Sequence, residues 1–289
     1  MSKIYQILSE NFKDIEKYYN DIPKGKGIRS KLVLAINPEA EILAASIEGL
    51  HLASLLHDDI IDEANFRRGK ESINYKYGDK YAVMIGDILY SKSLSELAKV
   101  DKKVLEIVSN SIYLLSLGEL EDVDLSREFN DNEEKYLSMI YKKTSALIEA
   151  ACEASAYLKG YDSKKFAVYG KNLGMAFQIV DDILDIVGDS KTLGKPAMND
   201  FKEGKVTLPY IYLYNKMNLE DKKLIKSYFK KELKKDEIEW ILSQMKKYDV
   251  IDLSYQYSKK LAKVAKKAIE EYKITELEEL LDRVICRNF

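Results

Sequence analysis

Chain breakers are scarce in this sequence, with 13 Gly and 4 Pro among 289 residues. So little punctuation leaves room for long helices and argues against many short strands joined by turns. Cysteine is scarcer still. Cys152 and Cys286 stand in no C-x-x-C spacing and no His/Cys cluster surrounds them, which excludes a disulfide framework and a zinc site. Two incidental thiols fit a reducing compartment. No uncharged apolar run reaches the ~18 residues of a transmembrane helix. Neither sign of charge dominates, since 46 Lys and Arg face 48 Asp and Glu. That balance lacks the basic excess of a general nucleic-acid or membrane-surface binder. The first residues soon meet Glu10, Lys13, Asp14 and Glu16, which is no signal peptide, so a cytoplasmic location is expected.

What the chain has in abundance is apolar residues at helical spacing. Ile4, Ile7, Leu8, Phe12, Ile15 and Tyr19 line one face near the start, and Leu261, Val264, Ala265, Ala268, Ile269 and Tyr272 do so near the end. Between them the pattern predicts helices over 39–62, 80–99, 103–122, 133–158 and 163–187, with breaks at 22–27, 65–77, 126–132 and 188–204. Strand alternation, fixed-period repeats and a flexible interdomain linker are all missing, and the lysine-rich last third reads as a solvated face of packed helices. The expectation is an all-α chain forming a single domain over residues 1–289.

Two segments carry the chemistry. Asp58-Asp59-Ile60-Ile61-Asp62 and Asp181-Asp182-Ile183-Leu184-Asp185 both read D-D-x-x-D on apolar helices. Residues four apart share a helix face, so Asp58 lies beside Asp62 and Asp181 beside Asp185, with Asp59 and Asp182 about 100° further round. Like charges so placed repel, and burying them unpaired is worse. A divalent cation resolves both difficulties: magnesium takes oxygen ligands, one or two carboxylates together with phosphate oxygens. One such cluster would as readily be a solvated surface patch. Two of them, each on an apolar background, point to all six aspartates sharing magnesium with a diphosphate. A calcium loop does not fit the spacing.

Diphosphate also needs cationic donors, and these stand close by in sequence. Lys26 and Arg29 precede the helix that leads to the first cluster, His51 lies two turns before Asp58, and Arg67-Arg68-Gly69 follows it. Lys143-Thr144 falls between the clusters, and Lys195 and Lys205 flank the polar stretch after the second. Arginine grips phosphate through paired hydrogen bonds, and lysine acts as a movable charge. Each has a bland alternative, His51 as a core histidine and the others as surface decoration; their joint occurrence is the signal.

With these motifs the sequence resembles the trans-type polyprenyl diphosphate synthases over nearly its whole length. His57 to Asp62 with Arg67-Arg68-Gly69 is similar to the first aspartate-rich motif of that family, and Gly174 to Asp185 to the second. Gly86-Asp87, Lys143-Thr144, Gly194-Lys195-Pro196, Asp200, Glu203-Gly204-Lys205 and Thr207-Leu208-Pro209 match further landmarks. The resemblance implies a bundle of ten or more helices around a deep central cavity, homodimeric, that condenses isopentenyl diphosphate with an allylic diphosphate. It implies magnesium on Asp58, Asp62 and Asp181. Arg67, Lys143, Thr144, Lys195 and Lys205 would bind the allylic diphosphate, with Gln178 near the reacting carbons. Lys26, Arg29, His51 and Arg68 would hold isopentenyl diphosphate. Gly27 and Ser30 depart from the Arg and Pro frequent in the family, which bears on local loop shape.

The growing chain would run below the first cluster, past Ala53 and Ser54, about one turn beneath Asp58. Both are small, which predicts an open tunnel there and a product of six to eight isoprene units, hexaprenyl to octaprenyl. The absence of a two-residue insertion common in bacterial farnesyl synthases agrees. A shorter farnesyl or geranylgeranyl product, a class I terpene cyclase and a non-catalytic subunit of a heteromeric synthase are the alternatives. The last would usually have lost aspartates or basic ligands that are present here.

Overall fold

The computed structural model describes residues 2–188 and 198–286. These residues are overwhelmingly helical, so the all-α expectation is borne out. In chain order the helices are α1 (Ser2–Asn11), α2 (Glu16–Asp21), α3 (Ile28–Ile36), α4 (Glu41–Ile61), α5 (Ile73–Tyr77), α6 (Asp79–Leu97), α7 (Lys102–Leu125), α8 (Glu133–Ile140), α9 (Ala146–Lys159), α10 (Ser163–Val187), α11 (Asn199–Glu203), α12 (Leu208–Lys216), α13 (Leu219–Tyr228), α14 (Lys235–Lys247), α15 (Val250–Ile269) and α16 (Thr275–Ile285). They belong to two compact units. Unit one comprises Met1–Tyr113, Leu147–Gly170 and Ile269–Leu277; unit two comprises Leu114–Ala146, Lys171–Ala268 and Glu278–Phe289.

Unit one is organised by α4. Leu43, Ala44, Ile47, Leu50, Leu52, Ala53 and Leu56 are buried on several sides of it, as expected of a helix that is apolar nearly all round. Small residues let α6 approach closely. A Cβ on Gly49 would stand 2.4 Å from Ser93 Oγ, and one on Gly86 only 2.3 Å from His57 Nε2. The Gly86-Asp87 landmark thus has a packing cause: it makes room for the His57 ring, whose Nε2 lies 3.3 Å from the Val83 carbonyl. Ser155 Oγ donates to the Val33 carbonyl at 2.7 Å, tying α9 to α3.

Residues 65–77, expected as an irregular break, hold more order than that. Strands β1 (Phe66–Arg67) and β2 (Lys70–Glu71) form an antiparallel hairpin with Arg67 paired to Lys70. The two loop residues, Arg68 and Gly69, have φ of 53° and 74°, the left-handed pair that a two-residue primed turn requires. Ser72 then caps α5 by accepting from the Tyr75 amide.

Unit two packs α10 against the helices that follow it. Ile179, Ile183 and Ile186 meet Phe201, Tyr210, Ile211, Ile241 and Met245 in one apolar core, and the Phe201 and Tyr210 rings stack at 4.4 Å. The expected helix 133–158 is interrupted. Between α8 and α9 the backbone makes a π-turn over Tyr141–Ser145, the kind of local bulge often found at functional sites. Two glycines sit against it: a Cβ on Gly118 would fall 2.3 Å from the Lys143 amide nitrogen, and one on Gly174 would fall 2.7 Å from Ser145 Cα.

Candidate active site

In unit one the C-terminal turn of α4 delivers the first carboxylates. Asp59 is 2% exposed, and its backbone carbonyl accepts from Asn74 Nδ2. Asp62 is the helix's C-cap residue. The hairpin carries Arg67 back onto this end. Arg67 Nε donates to Asp59 Oδ1 at 2.6 Å and Nη2 to Asp58 Oδ2 at 2.9 Å. Burial pushes the Asp59 carboxyl above the usual carboxylate range, against the pull of the Arg67 guanidinium. Burial also opposes the charge on Arg67, but Asp59 and Asp58 outweigh it and hold Arg67 more firmly protonated than usual.

The primed turn sends the next residue elsewhere. Arg68 Nη1 donates to the Pro23 carbonyl at 2.9 Å. Arg68, Arg29 of α3 and His51 of α4 lie close enough to act on one another, with Glu48 near both arginines and Asp59 also near Arg68. Glu48 also accepts from the Ser30 amide at 2.9 Å. Burial brings the Arg29 guanidinium down to about 10, with Glu48 supporting its charge and Arg68 opposing it. His51 is held well below its ordinary value by burial first and then by Arg29, Arg68 and Arg67. It is therefore a neutral imidazole among guanidinium groups. Arg29 Nε is buried without a hydrogen-bond partner among the described residues. A buried donor in such a setting is costly unless an anion meets it. Of the expected set Lys26 is exposed on its loop. Ala53 and Ser54 are both buried on α4, and the Ser54 hydroxyl donates to the His51 carbonyl at 2.8 Å.

In unit two the π-turn presents Lys143 and Thr144. Lys143 Nζ lies 2.8 Å from Glu119 and 2.7 Å from Asp122, both on α7, and Lys142 pairs with Glu121. Thr144 Oγ1 donates to Gln178 Oε1 at 2.7 Å, and Gln178 Nε2 donates to Asp182 Oδ1 at 2.8 Å. The other oxygen of Asp182 accepts from the Tyr136 hydroxyl at 2.5 Å. Asp182 is 3% exposed. Burial and then Asp200 push its carboxyl far above the usual range, against the hydrogen bonds from Tyr136 and Gln178. Asp185 Oδ2 accepts from the Asp200 amide at 3.2 Å, and Lys205 Nζ pairs with Glu203 at 2.9 Å. Asp122, Tyr136, Lys143, Thr144, Gln178, Asp182, Asp200 and Lys205 line a cleft of about 120 Å³. Lys195 lies outside the described residues.

Each D-D-x-x-D thus divides in the same way. The middle aspartates, Asp59 and Asp182, are buried and held by protein donors, while Asp58, Asp62, Asp181 and Asp185 are less buried. Among the described residues no three His, Cys, Asp or Glu side chains group as a metal cage. Oxygen donors in ones and twos suit magnesium, which keeps waters and takes the rest of its shell from phosphate. Glu48, Glu119, Asp122 and Tyr136 were not predicted from the sequence. Glu119 and Asp122 stand three apart on a helix, a spacing that could have been read as a lysine clamp; Tyr136 carries no such signal.

Comparison with known proteins agrees with this chemistry. The polyprenyl synthetase family profile matches residues 10–245. An octaprenyl diphosphate synthase of Haemophilus influenzae is 33% identical over 231 residues, 78% of this chain and 70% of that protein. A geranylgeranyl diphosphate synthase of Sulfolobus acidocaldarius is 34% identical over 286 residues, 87% of this chain and 86% of the relative. The crystal structure of octaprenyl pyrophosphate synthase from Helicobacter pylori superposes with a TM-score of 0.93 at 41% identity, covering 98% of this chain and 97% of that one.

Proposed function

The chain belongs to the polyprenyl synthetase family and is a prenyltransferase that makes polyprenyl diphosphates, and from that premise we propose how its residues divide the work. The whole chain acts as one synthase domain. Arg29, His51 and Arg68, with Lys26 from the adjoining loop, receive isopentenyl diphosphate. Arg67, Lys143, Thr144, Lys195 and Lys205 receive the allylic diphosphate. Asp58, Asp62, Asp181 and Asp185 are the magnesium ligands. The expectation of six chelating aspartates is narrowed here, because Asp59 and Asp182 are buried as well as held by protein donors, whereas the other four are less buried.

When bound, magnesium offsets charge on the departing diphosphate. The side chains do the rest. Arg67 and Lys143 now balance carboxylates, and each can turn part of that charge toward a diphosphate as its carbon–oxygen bond breaks. The carbonyl end of the Gln178 amide places negative dipole near the allylic cation. The isopentenyl double bond then attacks that cation, and loss of a proton regenerates an allylic diphosphate. Water must be kept out, which a wall of buried apolar side chains favours.

The observation that carries the two-substrate reading is the buried Arg29 Nε, without a hydrogen-bond partner among the described residues and near His51 and Arg68. A cyclase, with one diphosphate to ionise, has no use for a second cationic receptor. Small Ala53 and Ser54 support a long product of six to eight units. Tyr81, Met84 and Ile88 follow one stripe of α6 and are exposed, Met84 by 55%; we read this stripe as covered by a second copy in a homodimer. No described helix is long and apolar enough to cross a membrane, and a cytoplasmic location is proposed. The test is incubation with labelled isopentenyl diphosphate, magnesium and geranyl or farnesyl diphosphate, followed by sizing of the products. Incorporation into linear chains is expected; a cyclic hydrocarbon made without isopentenyl diphosphate would overturn the reading.

A further inference from the structure

We propose that Tyr136 is a positioning residue for prenyl transfer: through Asp182 it fixes the Gln178 amide in one orientation, and Asp182 serves this chain of hydrogen bonds instead of chelating metal. The proposal rests on the reading that Gln178 and Thr144 face the reacting allylic group.

An amide side chain is nearly symmetric in shape, and turning it by 180° exchanges a carbonyl for an amino group. What it presents is decided by its neighbours. Tyr136 is 1% exposed, and its hydroxyl donates to Asp182 Oδ2 at 2.5 Å while the Leu208 backbone also hydrogen-bonds it. A buried phenol and a buried carboxyl are both costly without partners, and together they satisfy one another. With Oδ2 occupied, Asp182 offers Oδ1 as an acceptor, and the group that meets it is Gln178 Nε2 at 2.8 Å. The Gln178 carbonyl is thereby turned toward Thr144, which donates to it at 2.7 Å.

Reversing the amide would set its carbonyl against Asp182 Oδ1, so the hydrogen bond from Nε2 would be lost, and the Thr144 hydroxyl would have to turn from donor to acceptor. The consequence is electrostatic. A carbonyl oxygen in the cleft favours a developing allylic cation, whereas an NH₂ group would oppose it. Tyr136 borders the cleft, but its hydroxyl is turned to Asp182 and acts on Gln178 through it, which makes it a positioning residue.

The experiment compares Tyr136→Phe, Asp182→Asn and the double variant with the wild type in the magnesium-loaded enzyme. Removing one hydroxyl should lower kcat about 10- to 50-fold while both KM values stay within twofold. Asp182→Asn should do the same. The double variant should be no more than twofold worse than either single one, as expected when one chain is cut twice. Calorimetry with magnesium and inorganic pyrophosphate should give wild-type affinity for all three. A Tyr136→Phe enzyme with wild-type kcat would overturn the proposal, as would a tenfold loss of magnesium-dependent pyrophosphate binding in Asp182→Asn, which would make that residue a metal ligand. Should Tyr136→Phe fail to fold, the kinetics and calorimetry of Asp182→Asn decide the matter alone: a loss confined to kcat with wild-type pyrophosphate affinity supports the proposal, and wild-type kcat overturns it. A wild type that incorporates no isopentenyl diphosphate would instead refute the enzymatic reading itself.

Discussion

Arg67 and Asp59 are joined by a 2.6 Å hydrogen bond between a residue of a two-residue primed hairpin and the buried middle aspartate of the first motif. The bond explains why a run of acidic residues is tolerated at the end of an apolar helix. The guanidinium neutralises the carboxylate that cannot reach solvent and extends a second nitrogen to Asp58. Breaking this pair strands a buried charge, at a cost of about 3 kcal/mol or more. Arg67→Ala should therefore lower denaturant stability measurably as well as activity. Arg67→Lys should keep most of the stability but lose the fork, lowering kcat/KM for the allylic substrate by about 10- to 100-fold.

His51 gives a pH signature. Its folded-state value lies well below the ordinary one, from burial and then Arg29, Arg68 and Arg67. The unfolded chain takes up a proton near pH 6.5 that the folded chain refuses, so stability is full above that pH and falls below it. Between pH 6.5 and 5.5 thermal melts should show unfolding free energy declining by up to about 1.4 kcal/mol per pH unit from this residue. His51→Gln should flatten that slope.

Gly118 has no room for a methyl group, since a Cβ would stand 2.3 Å from the Lys143 amide nitrogen. Gly118→Ala should destabilise unit two by about 1–3 kcal/mol and displace the π-turn that presents Lys143 and Thr144. The expected result is a fall in kcat of more than tenfold in enzyme that still shows a cooperative melt, measured by steady-state kinetics alongside circular dichroism.

Product length should respond to Ala53, which is fully buried on α4 about one turn before Asp58. Ala53→Tyr should shorten the main product by two or more isoprene units, read by chromatography of the dephosphorylated alcohols. An unchanged product distribution would remove Ala53 from the chain-length wall.

Much of this was legible in the sequence, for identifiable reasons. The span of α4 was visible because an unbroken apolar stretch with few breakers has no competing reading. The helix over 133–158 was legible in extent but not in its interruption, because hydrophobic period does not register one extra residue in a turn. The glycines packed against that interruption, Gly118 and Gly174, lie far away in the chain. Residues 65–77 read as a break because each strand is two residues long, too short for alternation to show. Arg67 and Arg68 could be singled out by type and place, but not the primed turn that sends one to the aspartates and the other to the Arg29–His51 group. Tyr136 was hidden because a tyrosine on an apolar stripe is core by default, and only its buried neighbour Asp182 gives its hydroxyl a role.

The most direct test measures binding of each substrate alone, by calorimetry with and without magnesium. The account predicts that isopentenyl diphosphate binds without the metal and loses affinity at least tenfold in Arg29→Met. The allylic diphosphate should bind only with the metal and lose affinity in Asp62→Asn but not in Arg29→Met. Loss of both substrates together in either variant, or a strict metal requirement for isopentenyl diphosphate, would contradict the division into two diphosphate sites.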